Sequence, residues 1–253
     1  MTALNQDNHW MIFVLAYNEA GTLHTVVERT VAALGEITRS WEIVIIDDCS
    51  RDRTGAIADR WAEQDSRIHV IHNEVNQGIS RNLLYAFRHA DGDVFGVICG
   101  DMQFDPADLV ELAKAMAGCD VLNTYRVSRS DPLRRKLITA IERSLNRFLF
   151  GLRLRDYHWI KLYRPWVLRS FSVTSTSQFL ETEVLIRAKA IGARIAEAPT
   201  RHFPRVSGRA GGGSLRMVVK AFLDVLWFRV TQRHGQTTTI PAGIQFSGRE
   251  EDA

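Results

Sequence analysis

Short apolar runs that alternate with helix-length segments constrain the fold of this chain more than any other feature. Continuous apolar runs indicate strands that are buried on both faces, as in a parallel sheet. The segments between them carry apolar residues at helical spacing. The predicted strands span residues 10–16, 41–46, 68–72, 94–99 and 120–125, and predicted helices span 23–34, 54–64, 79–89 and 106–116. This alternation predicts an α/β fold with a mostly parallel sheet flanked by helices.

The length of 253 residues suits one sizeable domain. We expect that domain over 1–235, with a first half at about 10–125, a second half at about 126–235 and a flexible tail at 236–253. A formal net charge of +3 gives no reason to expect nucleic acid as a partner. Three cysteines without a CxxC pair fit a reducing compartment, and the N-terminus lacks the features of a signal peptide. We therefore expect a cytoplasmic protein.

Polar residues follow every predicted strand at the point where it ends. Taken singly, each cluster is explained by turn chemistry or helix capping. Because the carboxyl ends of parallel strands meet along one edge of the sheet, the clusters together predict a ligand site there. The clusters are Asn18-Glu19, Asp47-Asp48, Asn73, Asp101-Gln103 and Arg126.

The segment VICGDMQFDP, residues 97–106, suggests what that ligand is. Asp101 and Gln103 stand two residues apart in a strand-to-helix turn, where a carboxylate and an amide oxygen can face one hard cation. Mg²⁺ held by one or two protein oxygens usually completes its shell with substrate phosphates. The alternative is that Asp101 only caps the next helix. No GxGxxG follows the first strand and no GxxxxGK[ST] occurs, which excludes a dinucleotide site and a P-loop NTPase. A nucleotide diphosphate carrying an activated group fits the acidic strand ends best.

Four ordered segments resemble the motifs of family 2 glycosyltransferases, which have the GT-A fold. The segments are LAYNEAGTL at 15–23, IDDCSRDRT at 46–54, NQGISRN at 76–82 and GDMQFDP at 100–106. The resemblance implies a Rossmann-like GT-A sheet and a nucleotide-sugar donor. The donor-binding residues that it implies are Ala16, Tyr17, Glu19, Asp47, Asp48, Gly78, Asp101, Met102 and Arg205.

One position departs from the pattern of that family. When Asp101 and Gln103 are aligned with the family's Asp-x-Asp-x-Gln, Cys99 stands where the first Asp is usual. A neutral thiol is a poor ligand for hard Mg²⁺. We therefore expect a divalent metal, Mg²⁺ or Mn²⁺, to be held weakly by Asp101 and Gln103.

The second half of the chain contains two segments that suggest amphipathic helices. The stretch 126–156 is strongly basic and carries an apolar stripe at helical spacing. It either packs on the domain with a solvated basic face or lies on an anionic membrane surface. The stretch 215–233 is apolar on nearly every side, and we expect it to pack on the domain or to rest at the membrane interface as a peripheral anchor.

Residues 126–156, together with HWIKLYR at 158–164, resemble the acceptor half of dolichol-phosphate and polyprenyl-phosphate sugar synthases. This resemblance implies inverting, metal-assisted transfer of a hexose of mannose or glucose type to a polyprenyl or dolichyl phosphate. It also raises a membrane-protein partner as a hypothesis. The catalytic residues that we predict are Asp101, Glu183 and Arg205, and the predicted acceptor-phosphate residues are Arg126, Arg134, His202 and Ser207.

Two other functions stay open from the sequence. One is transfer to a saccharide or small-molecule hydroxyl, with Glu183 or Glu181 as the general base. The other is non-catalytic binding of a nucleotide sugar, which the thiol at Cys99 would permit.

Overall fold

The structure is a computed structural model that describes residues 4–127, 133–205, 223–225 and 227–230, with the side chains of 133–138 left out. The strands are β1 His9–Ala16, β2 Ser40–Asp47, β3 Ile68–His72, β4 Val94–Cys99, β5 Val121–Arg126, β6 Lys161–Tyr163 and β7 Ile195–Thr200. The helices are α1 Leu23–Ile37, α2 Thr54–Gln64, α3 Ile79–Arg88, α4 Leu109–Met116, α5 Leu133–Phe150, α6 Pro165–Arg169 and α7 Phe179–Ala190.

All seven strands form one sheet in the order β3-β2-β1-β4-β6-β5-β7. Strand β6 runs antiparallel to both of its neighbours, β4 and β5. The other pairings are parallel. The predicted fold class, a mostly parallel sheet flanked by helices, is therefore confirmed.

The sheet separates two hydrophobic cores, which is why its central strands are apolar on both faces. Along β1, Ile12 and Val14 enter the core that contains α1 and α4. Phe13 and Leu15 alternate with them and enter the opposite core, which contains α3 and α7. Continuous apolar runs in the sequence therefore reflect a central layer with helices on each side.

Four neighbouring strands end within one residue of the same level, which brings the loops that follow them together. In the sheet register Ala16 pairs with Asp47, and Leu15 pairs with Cys99. Asp47 pairs in turn with His72 at the end of β3. The loops after β1, β2, β3 and β4 thus start along one line at the carboxyl edge, where a ligand site was predicted.

Near the chain's end, only part of the predicted helix at 215–233 falls within the described residues. Residues 223–225 and 227–230 are helical. Phe228 is buried against Phe150 of α5 and Phe179 of α7, with ring centroids 6.0 and 5.4 Å apart. The predicted tail at 236–253 lies outside the described residues. Of the helices in the described part of the chain, none combines the length and apolar character needed to cross a bilayer.

Candidate active site

The loops after β1 and β2 are tied together by side chains that accept hydrogen bonds from backbone amides. Ser50 Oγ accepts from the N–H of Asn18 at 2.9 Å, and Asn18 Oδ1 accepts from the N–H of Arg51 at 2.8 Å. Thr54 Oγ1 accepts from the N–H of Glu19 at 2.8 Å. The backbone around Glu19 is therefore fixed in place before any ligand arrives.

Three residues in these strand-end loops adopt a left-handed backbone conformation without being glycine. They are Asn18 after β1, Cys49 after β2 and Met102 after β4, with φ of 54°, 61° and 56°. Such conformations are unfavourable for side chains with a Cβ and cluster at ligand sites. Their occurrence in three loops of one sheet edge supports a binding site there.

Asp48 folds the loop between β3 and α3 onto the end of β2. Its carboxylate accepts from the backbone N–H groups of Gln77 at 2.7 Å and Gly78 at 2.8 Å. It also accepts from the side-chain amide of Asn73 at 2.8 Å. Asp48 is thus engaged within the protein and shapes the predicted nucleotide pocket through this loop.

The neighbouring Asp47 is held in a similar way. Its Oδ1 accepts from the N–H of Ser50 at 3.1 Å, and its Oδ2 lies 3.1 Å from His72 Nδ1. The other ring nitrogen of His72 lies 2.8 Å from Asp59. Burial opposes a charge on His72, but hydrogen bonds with Asp59 and Asp47 outweigh it and raise the pKa of His72. A Cβ atom at Gly55 would lie 2.9 Å from Asp47 Oδ2, so a larger residue there would displace this carboxylate.

The other predicted donor residues lie around these two aspartates. Ala16 is buried at the end of β1, and its carbonyl accepts from the N–H of Asp48 at 2.9 Å. Tyr17 is 43% exposed beside it, so its ring is available to a ligand. Gly78 has a φ of 77° in the loop that Asp48 holds, a conformation that favours glycine.

Glu19, Asp101 and Arg205 meet at the centre of the edge. Arg205 Nη2 lies 2.8 Å from Asp101 Oδ2 and 3.5 Å from Glu19 Oε1. Both carboxylates are 5% exposed. Burial raises the pKa of Glu19, an effect that Arg205 partly offsets. The structure therefore brings together three predicted site residues from distant parts of the sequence.

The segment that carries Arg205 is laid over the turn that follows β4. The N–H of Phe203 donates to the carbonyl of Gln103 at 2.9 Å. The side-chain amide of Gln103 lies 3.4 Å from His202 Nε2, and the His202 ring packs edge-on against Trp159, with centroids 5.3 Å apart. His202, predicted at the acceptor phosphate, therefore lies next to a predicted metal ligand.

A cleft of about 650 Å³ opens beside this arrangement. It is lined by the start of α1, by Arg29 and by residues of the 102–105 and 203–205 segments. Arg29 is ion-paired with Asp105 at 2.8 Å in its wall. The volume lies within the range usual for small-molecule sites.

Asp101 and Gln103, the predicted metal ligands, lie together in the turn after β4, where the N–H of Gln103 donates to Asp101 at 3.1 Å. The carboxylates of Glu19 and Asp101 already attract one cation, the guanidinium of Arg205. Cys99 lies close by, and burial together with the charge of Asp101 raises the pKa of its thiol. Within the described ranges, no cluster of three or more His, Cys, Asp or Glu side chains is placed to hold a metal ion. A divalent ion bound here would be held by one carboxylate together with oxygens of a phosphate ligand.

Arg126, a predicted acceptor-phosphate residue, is engaged by a buried aspartate. Its Nε and Nη2 lie 2.8 and 3.2 Å from the carboxylate of Asp156. The guanidinium lies 4.8 Å from the centroid of the Trp159 ring. In this conformation Arg126 stabilises the end of β5. The side chain of Arg134 and the whole of Ser207, also predicted there, lie outside the described residues.

Glu183 does not join the strand-end cluster. It is fully buried on α7, where its carboxylate accepts from the N–H and hydroxyl of Thr174, each at 3.0 Å, and from the N–H of Ser175 at 2.8 Å. Arg187 Nε donates to it at 2.7 Å. These contacts explain Glu183 as a structural residue that joins α7 to the segment before it.

Sequence reasoning did not find a partly buried charge network that joins α5, β6 and α7. His158 contacts Glu142 at 2.6 Å and Glu181 at 3.3 Å, and Glu181 contacts Lys161 at 2.6 Å. Lys161 is the first residue of β6, and 2% of its side chain is exposed. A lysine within an otherwise apolar strand was the available signal, because a buried ammonium group requires an acidic partner.

The mixed seven-stranded sheet flanked by helices is the GT-A fold that glycosyltransferases have. The model described as "Glycosyl transferase family 2" matches residues 11–176, and the chain belongs to this family. The predicted family is thereby confirmed, and membership of it supports the predicted glycosyltransferase activity.

Curated relatives include undecaprenyl-phosphate 4-deoxy-4-formamido-L-arabinose transferases. The protein of that name from Salmonella paratyphi A is 29% identical over 212 residues, covering 82% of this chain. The one from Pectobacterium carotovorum subsp. carotovorum is 28% identical over 211 residues, also covering 82% of this chain. The chain spans 63% of the length of these relatives.

Solved structures of glucosyl-3-phosphoglycerate synthase from Mycobacterium tuberculosis share the fold. The complex with Mn²⁺, uridine diphosphate and glucosyl-3-phosphoglycerate has a TM-score of 0.64 and 18% identity, covering 86% of this chain and 80% of that one. The complex with phosphoglyceric acid has a TM-score of 0.66 and 17% identity, with the same coverage. At this identity the likeness concerns the fold alone.

Proposed function

We propose that this glycosyltransferase moves a sugar from a nucleotide-diphosphate sugar to a polyprenyl phosphate. The observation that carries the proposal is the cluster of Glu19, Asp101 and Arg205 at the carboxyl edge of the sheet. The names of the curated relatives, which are undecaprenyl-phosphate sugar transferases, support the acceptor class.

At the donor side, the base and ribose would lie over the loops that Asp48 and Asp47 organise. Tyr17 offers an exposed aromatic ring there. The diphosphate would extend toward Asp101, where Arg205 can turn from the carboxylates to donate to phosphate oxygens. Guanidinium groups suit this task because they present several donors in a fixed plane. A divalent cation on Asp101, with Gln103, would supply further neutralisation of the departing diphosphate.

At the acceptor side, a phosphate oxygen would attack the anomeric carbon from the face opposite the diphosphate. A bond forms between that carbon and the phosphate oxygen, and the bond to the diphosphate oxygen breaks with its electron pair leaving on the nucleoside diphosphate. One displacement of this kind inverts the anomeric configuration. A phosphate is already anionic, so no general base is required, which agrees with the engagement of Glu183 within the protein.

The sugar is proposed as a hexose of mannose or glucose type. The curated relatives are named for a different sugar, 4-deoxy-4-formamido-L-arabinose. A donor screen therefore has to include both kinds of sugar.

The protein would meet its lipid acceptor at a membrane surface. Two exposed apolar helix faces are suited to contact such a surface. Ile141 and Phe148 lie seven residues apart on one face of α5 and are 55% and 87% exposed. Leu223, Trp227 and Val230 repeat at helical spacing and are each more than half exposed. We propose that these faces contact an anionic membrane peripherally. A membrane-protein partner stays a prediction.

The donor class is tested by a thermal-shift screen of UDP-, GDP- and other nucleotide sugars, with and without Mn²⁺. The proposal predicts a rise in Tm with one nucleotide sugar and its nucleoside diphosphate, but not with the free sugar. The same rise in the Asp101→Ala variant would mean that the diphosphate binds elsewhere. A flat response to every nucleotide sugar would overturn the proposed donor class.

A further inference from the structure

Asp101 is paired with a cation that the protein itself supplies. One of its oxygens accepts from the N–H of Gln103 at 3.1 Å, and the other lies 2.8 Å from Arg205 Nη2. The same guanidinium nitrogen lies 3.5 Å from the buried carboxylate of Glu19. A single positive group thus sits between the two acids that face the site.

A divalent ion bound to Asp101 would compete with that guanidinium for the same oxygen. The two cations would stand within a few ångströms of each other in a partly buried site, where like charges repel strongly. Cys99 offers a soft thiol in place of a further hard oxygen donor, so it would not compensate. The ion therefore binds weakly while Arg205 pairs with Asp101, more tightly once the guanidinium has left, and more tightly again when phosphate oxygens add further ligands.

We propose that Arg205 lowers the affinity of Asp101 for divalent metal in the free protein, so that metal binds more tightly together with a nucleoside diphosphate. This rests on the proposed donor site. Arg205 then has two positions, on Asp101 and Glu19 without donor and on the diphosphate with it. The exchange makes metal and nucleotide binding mutually dependent, and such coupling between two ligands is reciprocal.

The test is isothermal titration of Mn²⁺ into the full chain without nucleotide, for wild type, Arg205→Ala and Arg205→Lys. Removal of the guanidinium should raise the Mn²⁺ affinity about 10-fold, a typical size for coupled binding. Arg205→Lys keeps the positive charge and should stay close to wild type. Arg201→Ala is a matched control, because this neighbouring arginine pairs with Asp108 on the surface and does not contact Asp101 in the described structure.

Equal Mn²⁺ affinities in wild type and Arg205→Ala would overturn the proposal. Circular dichroism checks that the variants are folded, and Arg205→Gln gives a second neutral side chain. Adding UDP or GDP to wild type should also raise the Mn²⁺ affinity about 10-fold. A different outcome is that neither nucleotide raises the Mn²⁺ affinity of wild type while Arg205→Ala still does. That result would support the role of Arg205 and contradict the proposed donor site.

Discussion

Asp48 accepts a hydrogen bond from the backbone N–H of Gly78 at 2.8 Å, across thirty positions of sequence. The same carboxylate accepts from Gln77 and Asn73, so one buried acid determines the course of the β3–α3 loop. Its position in a family motif suggested direct contact with a nucleotide. Its contacts indicate that it holds in place the β3–α3 loop, which shapes the predicted nucleotide pocket.

Asp48→Asn should lower the free energy of unfolding by about 1–3 kcal/mol, the usual effect of leaving buried polar groups unsatisfied. An amide has one acceptor oxygen, and its NH₂ group would face the N–H donors of Gln77 and Gly78. Urea denaturation measures the change. Asp7→Asn is the control, because that carboxylate is 79% exposed, and it should cost less than about 0.5 kcal/mol. Equal effects in the two variants would remove the structural role of Asp48.

Glu183→Ala should destabilise the protein by about 3–5 kcal/mol, because it leaves Arg187 without its partner in a buried site. The amide of Ser175 and the amide and hydroxyl of Thr174 also lose their acceptor. Guanidinium denaturation tests this against Glu111→Ala, which removes an exposed acid from an ion pair on α4.

The alternative role of Glu183 as a general base makes the opposite prediction. A base could be replaced by Gln with little change in stability and a large loss of turnover. That result would favour transfer to a hydroxyl acceptor over transfer to a phosphate acceptor.

His158 lies between Glu142 and Glu181, with Lys161 on the far side of Glu181. Burial opposes its charge, but hydrogen bonds with Glu142 and Glu181 prevail and raise the pKa of His158 to about 10. A pKa raised in the folded state contributes stability that is complete below the unfolded value of about 6.5. That contribution is lost as the pH rises through about 10.

His158→Gln should therefore reduce the free energy of unfolding most near pH 6 and progressively less as the pH approaches 10. Denaturation of both proteins across this range measures the difference. His69→Gln removes an exposed imidazole from β3 and controls for unspecific effects. A His158→Gln deficit that stays constant with pH would contradict the charged state assigned to His158.

The strands and the site edge could be predicted because they depend on local pattern. The apolar run at 10–16 became β1 His9–Ala16, and the run at 94–99 became β4 Val94–Cys99. The polar clusters met at one edge because parallel strands end there together. Arg205 contacts Asp101 although 104 positions separate them, whereas the resemblance to a known family had implied only that both residues bind the donor.

The partners of individual acids could not be predicted, because a carboxylate satisfied by nearby amides looks the same in sequence as one that faces a ligand. Glu183 was placed at the acceptor side, yet its contacts lie within 174–187. Arg126 ended a strand as expected but pairs with Asp156, thirty positions away. Such pairings arise from the packing of elements that are distant in sequence.

Membrane binding is expected to depend on both charge and apolar contact. Each basic residue near an anionic surface contributes about 1 kcal/mol, an attraction that salt screens over roughly 8 Å at physiological ionic strength. The protein should float with anionic liposomes at low salt and be released in part at high salt. Phe148→Asp and Trp227→Asp together should release it fully, whereas Val75→Asp, at another exposed position, should not. A protein that never floats at low salt would favour a soluble acceptor.

The most direct measurement of the proposed reaction is transfer of a radiolabelled sugar from its nucleotide donor to polyprenyl phosphate, with the matching polyprenol as the control acceptor. After extraction into organic solvent, label should appear with polyprenyl phosphate and stay at background with polyprenol, since the phosphate is the nucleophile. Asp101→Ala should reduce the lipid-linked label to background. Label on polyprenol or on a soluble hydroxyl acceptor, with none on polyprenyl phosphate, would contradict the proposed function.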